Sequence, residues 1–162
     1  MMKTSKLTYI ALLSSAAIIF GYIESLFPAV TTIPGIKLGI SNIVILFALL
    51  RADKVSAFFV MLIKVCVSSL LFSGLNVLIY SLCGGIFSLL AMIAFKKLKF
   101  SVIGISMLGS IFHNIGQLFA ASLMLGTLSV FSYLPVLLIS GLALGFVTGT
   151  VCRIIVSRTD IV

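Results

Sequence analysis

The chain has 162 residues, 62% of them hydrophobic and 9% charged, with a formal net charge of +8. A soluble domain of this size cannot hide so much apolar surface, so composition places the chain in a membrane. The positive balance does not signal nucleic acid, because the basic residues stand at the ends of apolar segments and mark topology.

Six apolar segments follow one another, at about 7–27, 36–50, 55–72, 75–95, 101–125 and 131–156. They predict an all-α bundle of six transmembrane helices in one integral membrane domain, 1–162. Most are long enough for a hydrocarbon core of about 30 Å. The first follows Lys3 and Lys6 and resembles a signal peptide, but no small-x-small cleavage site follows, so it reads as an uncleaved helix. It carries Ala11, Ser15, Ala17 and Gly21 at small-xxx-small spacings. That face can pack inward or meet a separate membrane partner. The second segment is short. The stretch PAVTTIPGIKLGISN leading into it holds two prolines and two glycines and reads as an irregular loop. Such backbone is tolerated at depth only under protein or water.

The third segment, KVSAFFVMLIKVCVSSLLFSG, contains Lys64. It lies about ten residues past Lys54, hence about 15 Å deep. A charge there costs at least about 2.5 kcal/mol, so Lys64 must face a protein interior or a wet cavity. The fifth segment contains SIFHNIGQLFAAS. Ser106, Ser110, His113, Gln117 and Ala121 recur every three or four residues and form one helical stripe. His113 falls roughly 18 Å and Gln117 roughly 24 Å above the inner face. In the sixth segment, Gly141, Gly145 and Gly149 form a stripe that admits another backbone. Internal packing is its first reading and an oligomer contact its second.

Charges orient the segments. Lys3, Lys6, Arg51, Lys54, Lys96, Lys97, Lys99, Arg153 and Arg158 share one side if there are six crossings. By the positive-inside rule both termini are cytoplasmic. Tyr22, Tyr80 and Tyr133 fall near the outer boundary and Tyr9 near the inner one, as interfacial anchors or pocket-mouth residues. Cys66, Cys83 and Cys152 have no C-x-x-C spacing and read as reduced packing thiols, not metal ligands.

Asn42 enters the second segment at about the height of His113, and Glu24 and Lys37 stand nearer the outer boundary. Lys64, His113, Gln117 and Asn42 therefore suit one polar layer, capped by Glu24, Lys37 and the proline-glycine loop, and Asn114 beside His113 is a further ligand-binding candidate. One account is structural: buried amides and hydroxyls hydrogen-bond across helices for about 0.6 kcal/mol each, and Lys64 pairs with Glu24. The other is a ligand pocket open to one side. With Lys37, Lys64 and His113 outnumbering Glu24, it favours an anionic or electron-rich ligand.

The segment PGIKLGISN at 34–42 and HNIGQ at 113–117 resemble the bacterial Gx transporter family, also labelled heptaprenyl diphosphate synthase component I. The resemblance spans almost the whole chain. That family is similar to the S components of energy-coupling factor vitamin transporters, six-helix proteins that capture a small molecule from outside. The resemblance implies a bacterial cell-membrane location and a lid at Ile33 to Lys37. It also implies a contact of Ala11, Ser15 and Ala17 with a transmembrane coupling subunit bound to two ATPases.

The enzyme label meets a chemical objection. Prenyl diphosphate elongation needs aspartate-rich clusters that hold magnesium against diphosphate. This chain has only Glu24, Asp53 and Asp160, far apart, and no G-x-x-x-x-G-K-[ST] loop for ATP. Nor is a Ser-His-Asp or Cys-His set readable. The expectation is a non-enzymatic, cofactor-free substrate-binding subunit of an importer. The alternatives are a membrane accessory in isoprenoid, quinone or flavin-linked redox metabolism, and a scaffold.

Overall fold

The computed structural model describes residues 4–26 and 39–159, apart from the side chains of residues 72 and 73. Lys37 and the loop from Ile33 lie outside the described residues. Six α-helices are formed among those described: α1 (Thr4–Ser25), α2 (Ile40–Arg51), α3 (Lys54–Ser68), α4 (Leu75–Lys97), α5 (Val102–Leu125) and α6 (Leu134–Arg158). They contain no strand. A π-helical turn, Ser69–Ser73, prolongs α3, and a 3₁₀ turn, Leu128–Tyr133, leads into α6. Five stretches, one from each helix except α2, are long and apolar enough to cross a membrane. Their outward faces leave Leu12, Leu90, Leu123 and Ile139 exposed, a cost in water and the natural state in lipid.

The short helix α2 departs from the sequence expectation. It starts at Ile40, not near residue 36, because Gly39 adopts a left-handed conformation (φ 72°) that ends backward propagation. Its 12 residues make about 18 Å, too short to span alone. Seven of them are buried, and Leu46 and Leu49 meet Val60 and Met61 of α3 and Ile105 of α5 in the apolar core. The sixth helix also begins later than the expected residue 131, at Leu134, since the chain first turns through the 3₁₀ segment.

Polar contacts gather the helices at one end. Asp53 accepts from Ser56 N at 2.7 Å, capping α3, and forms an ion pair with Lys6 of α1. The Arg51 guanidinium donates to the Val156 carbonyl of α6. Lys96 Nζ donates to Leu49 O at 2.6 Å, placing a cation at the negative end of α2. The last turn of α4 closes with Phe100 N donating to Phe95 O and Lys99 N to Lys96 O, while the Phe95 and Phe100 rings meet at 5.1 Å. This is the double hydrogen bond with apolar contact that ends many helices, but Lys99 (φ 60°) stands where glycine is usual. That conformation costs a side chain roughly 1–2 kcal/mol.

Glycines set the spacing of α4, α5 and α6. A methyl group on Gly145 would lie 2.6 Å from Met107 Cα, and one on Gly149 would lie 2.7 Å from Ser106 Cβ. One on Gly116 would lie 2.8 Å from the Cys83 carbonyl oxygen of α4. The α6 stripe thus faces α5 within the bundle. Ser106 and Thr148 share a buried hydrogen bond of 3.0 Å across the same contact.

Gly145→Ala should lower stability by about 1–3 kcal/mol, read as earlier thermal unfolding in detergent, because Met107 backbone must retreat; Gly126→Ala, with nothing nearby, tests conformational strain alone. A second expectation concerns Asp53, whose carboxyl the Lys6 and Ser56 hydrogen bonds hold well below the usual carboxylate range. A depressed value means its contribution is complete above the ordinary aspartate value of about 3.9 and fades as pH falls below it. The pair is half exposed, so its worth is about 0.2–1 kcal/mol. The difference in unfolding temperature between the wild type and Lys6→Met should be present at pH 6 and shrink on acidification from pH 4 to pH 2.

Candidate functional site

Helix α2 begins inside the bundle, so its first N–H groups have no preceding turn to bond. Gly39 has no side chain to cap them. Glu24, near the end of α1, does it instead. Its Oε1 accepts from Ile40 N at 2.6 Å and its Oε2 accepts from Ser41 Oγ at 2.9 Å. A carboxylate at a helix N-terminus is favoured by charge as well as by hydrogen bonding.

Beneath this clasp lies a cavity of about 20 Å³. Glu24 of α1, Gly39, Ser41 and Asn42 at the start of α2, and Lys64 of α3 form one side. Ser110, His113 and Asn114 of α5 and Ser140, Gly141 and Leu144 of α6 form the other. Its volume exceeds the 10–15 Å³ or so that one water needs, and its lining supplies polar partners for one.

The structure therefore brings together Lys64, His113 and Asn42, which the sequence placed in one layer, with Asn114 and with Glu24 of the expected cap. Each has a local reason for its position. A methyl group on Gly21 of α1 would lie 3.6 Å from Lys64 Cε and 3.2 Å from Ser68 Oγ, so the lysine stem passes over that glycine. A methyl group on Gly84 of α4 would lie 3.0 Å from His113 Cε1, so the imidazole occupies space that a side chain there would take. Asn114 Nδ2 donates to the Leu137 carbonyl of α6 at 2.7 Å, and Ser140 Oγ donates to the same oxygen at 3.1 Å. Those bonds fix the α5–α6 wall.

Other expectations need correction. Gln117 is buried but does not line the cavity. It packs one turn further along α5 against Gly84, and its Oε1 has no hydrogen-bond partner. Ala17 does not share an outward face with Ala11 and Ser15. It is fully buried while those two are exposed, because its position on the helix turns it into the core. Nor does Glu24 serve Lys64 alone, since both carboxylate oxygens hold α2. Among the described residues the lining carries Lys64 and His113 beside Glu24, and Lys37, the other cation expected there, lies outside them. Ser41 and Ser140 were missed. Ser41 follows the left-handed Gly39 and Ser140 precedes the glycine stripe, but single serines in apolar helices carry little signal.

Apolar outward faces around an internal polar cavity define an integral membrane protein of the helical-bundle class. Residues 13–155 match the model of the family described as heptaprenyl diphosphate synthase component I, and the chain belongs to that family. No curated protein and no solved structure matches it significantly.

Removing the clasp should be costly. Glu24→Ala leaves Ile40 N and Ser41 Oγ without their acceptor and should lose about 1.5–3 kcal/mol of stability, seen in thermal unfolding in detergent. Glu24→Gln, which retains one accepting oxygen, should lose less.

Proposed function

We propose that this chain is the substrate-binding membrane subunit of an energy-coupling-factor-like importer for a small molecule. The reading rests on one observation: Lys64, His113, Asn42, Ser41, Ser110 and Ser140 converge from four helices on one internal cavity. A cation at such depth needs a polar surrounding, and hydroxyls, an amide and an imidazole supply donors and acceptors for a ligand. The family membership and the resemblance to S components support the same reading. In this proposal both termini face the cytoplasm and the cavity opens outward between Glu24 and the start of α2. Ligand pockets for vitamin-sized molecules measure about 300 Å³ or more, against the 20 Å³ or so seen. Capture therefore requires the wall to separate, and the Glu24 clasp is the contact that must yield or shift. The charges of Lys64 and Glu24 favour a ligand with an electron-rich group for the ammonium and a donor for the carboxylate.

The subunit carries no catalysis of its own in this reading. Lys6, at the start of α1, touches Asp53, whereas Glu24 stands 18 residues further along the same helix, about 27 Å away. The two acids cannot share a metal-bound diphosphate. The family label favours a second reading, a non-catalytic accessory of a prenyl or quinone pathway that holds a headgroup in the same cavity.

Native mass spectrometry from mild detergent separates them. The importer reading expects a retained small polar molecule and companion ATPase subunits, with the small molecule lost and its stabilising effect abolished in Lys64→Ala. Retention of a prenyl compound beside a prenyltransferase or redox subunit, never ATPases, would overturn it.

A further inference from the structure

A second concavity lies on the outside of the bundle, unconnected with the polar cavity. It is a groove of about 390 Å³ lined by Phe87, Leu90, Ala91, Ala94, Phe95 and Phe112. The alanines of α4 form its depression and the phenylalanines its ends. Phe95 tilts against Phe112 at 6.4 Å, and Phe87 against Phe119 at 5.9 Å. The stretch of α4 from Phe87 to Phe95 gives it a length of about 12 Å along the helix. Every lining residue is apolar, and exposed Leu90 and Ala94 show that it opens sideways, toward lipid.

Its inner end meets a cationic turn. Phe95 is bonded through its carbonyl to Phe100 N and through its ring to the Phe100 ring, so the turn 97–100 is fixed directly below the groove. Lys96 is engaged with Leu49 O, while Lys97 and Lys99 are exposed there. Lys99 also holds a left-handed conformation where glycine would be unstrained. A residue kept against the local backbone preference points to a role for its side chain.

We propose that this groove and turn form a binding site for an anionic phospholipid, with one acyl chain along α4 between Phe95 and Phe87 and the phosphate on Lys97 and Lys99. Basic clusters at the mouth of an interhelical groove recognise such headgroups, and the groove supplies the chain contact that a surface lysine pair lacks. The proposal does not depend on what the internal cavity binds, nor on which side of the membrane the lysines face.

The test uses the full chain in detergent, titrated with phosphatidylglycerol or with phosphatidylcholine of the same chains, and read by native mass spectrometry and thermal unfolding. Retention of one phospholipid, with phosphatidylglycerol preferred about tenfold or more, is expected. The Lys97→Gln/Lys99→Gln variant should erase the preference, and Ala91→Phe should lower retention of both lipids. Lys99→Gly gives the sharpest separation: it should unfold at a higher temperature without lipid, yet lose much of the phosphatidylglycerol preference. Equal retention of the two lipids by the wild type would overturn the proposal. So would an unchanged preference in the double lysine variant, or a prenyl compound, partner helix or second copy of the chain displaced by Ala91→Phe.

Discussion

A helix that starts inside an apolar bundle leaves donors that lipid cannot satisfy. That constraint, met at α2 by Glu24, organises the site. The short α2 is possible because α1 supplies a carboxylate to Ile40 N and Ser41 Oγ. The same contact places Ser41 and Asn42 beside Lys64 rather than at the surface.

The rest of the bundle supports that geometry from two sides. At the basic end, Arg51 and Lys96 tie α2 to α6 and α4 while Asp53 ties the start of α3 to α1, so a helix too short to span is still held at both ends. On the far side, glycine contacts let α5 lie close to both α4 and α6. His113 can then face the cavity while Asn114, one residue on, bonds the α6 backbone. Close packing here is less a source of affinity between helices than a means of fixing side-chain direction to within a fraction of a residue's rotation.

Much of this was legible in the sequence, for definite reasons. Apolar length gave the helices, and the glycine triplet in the sixth segment gave a packing face. Lys64, His113 and Asn42 lie far apart in sequence, but depth counted along straight helices put them at one height. Depth counting cannot give azimuth. Gln117 shares the stripe of His113 and still misses the cavity, since it stands one turn further along α5. Ala17 matched a small-residue spacing with Ala11, yet helical rotation buries it. Glu24 read as a mouth residue or an ion-pair partner, since no local pattern reveals a cap donated from another helix.

The division follows from how the two kinds of information arise. Membrane residence and the positions of the long apolar helices are sums over one segment, set by hydrophobic transfer and the fixed rise of the helix, and the sequence alone determines them. Cavity size, the turning of Ala17 into the core, and the binding of the α2 N-terminus by Glu24 depend on how pairs of helices rotate and approach. That is decided where backbones touch at Gly84, Gly116, Gly145 and Gly149, and only the tertiary structure contains it.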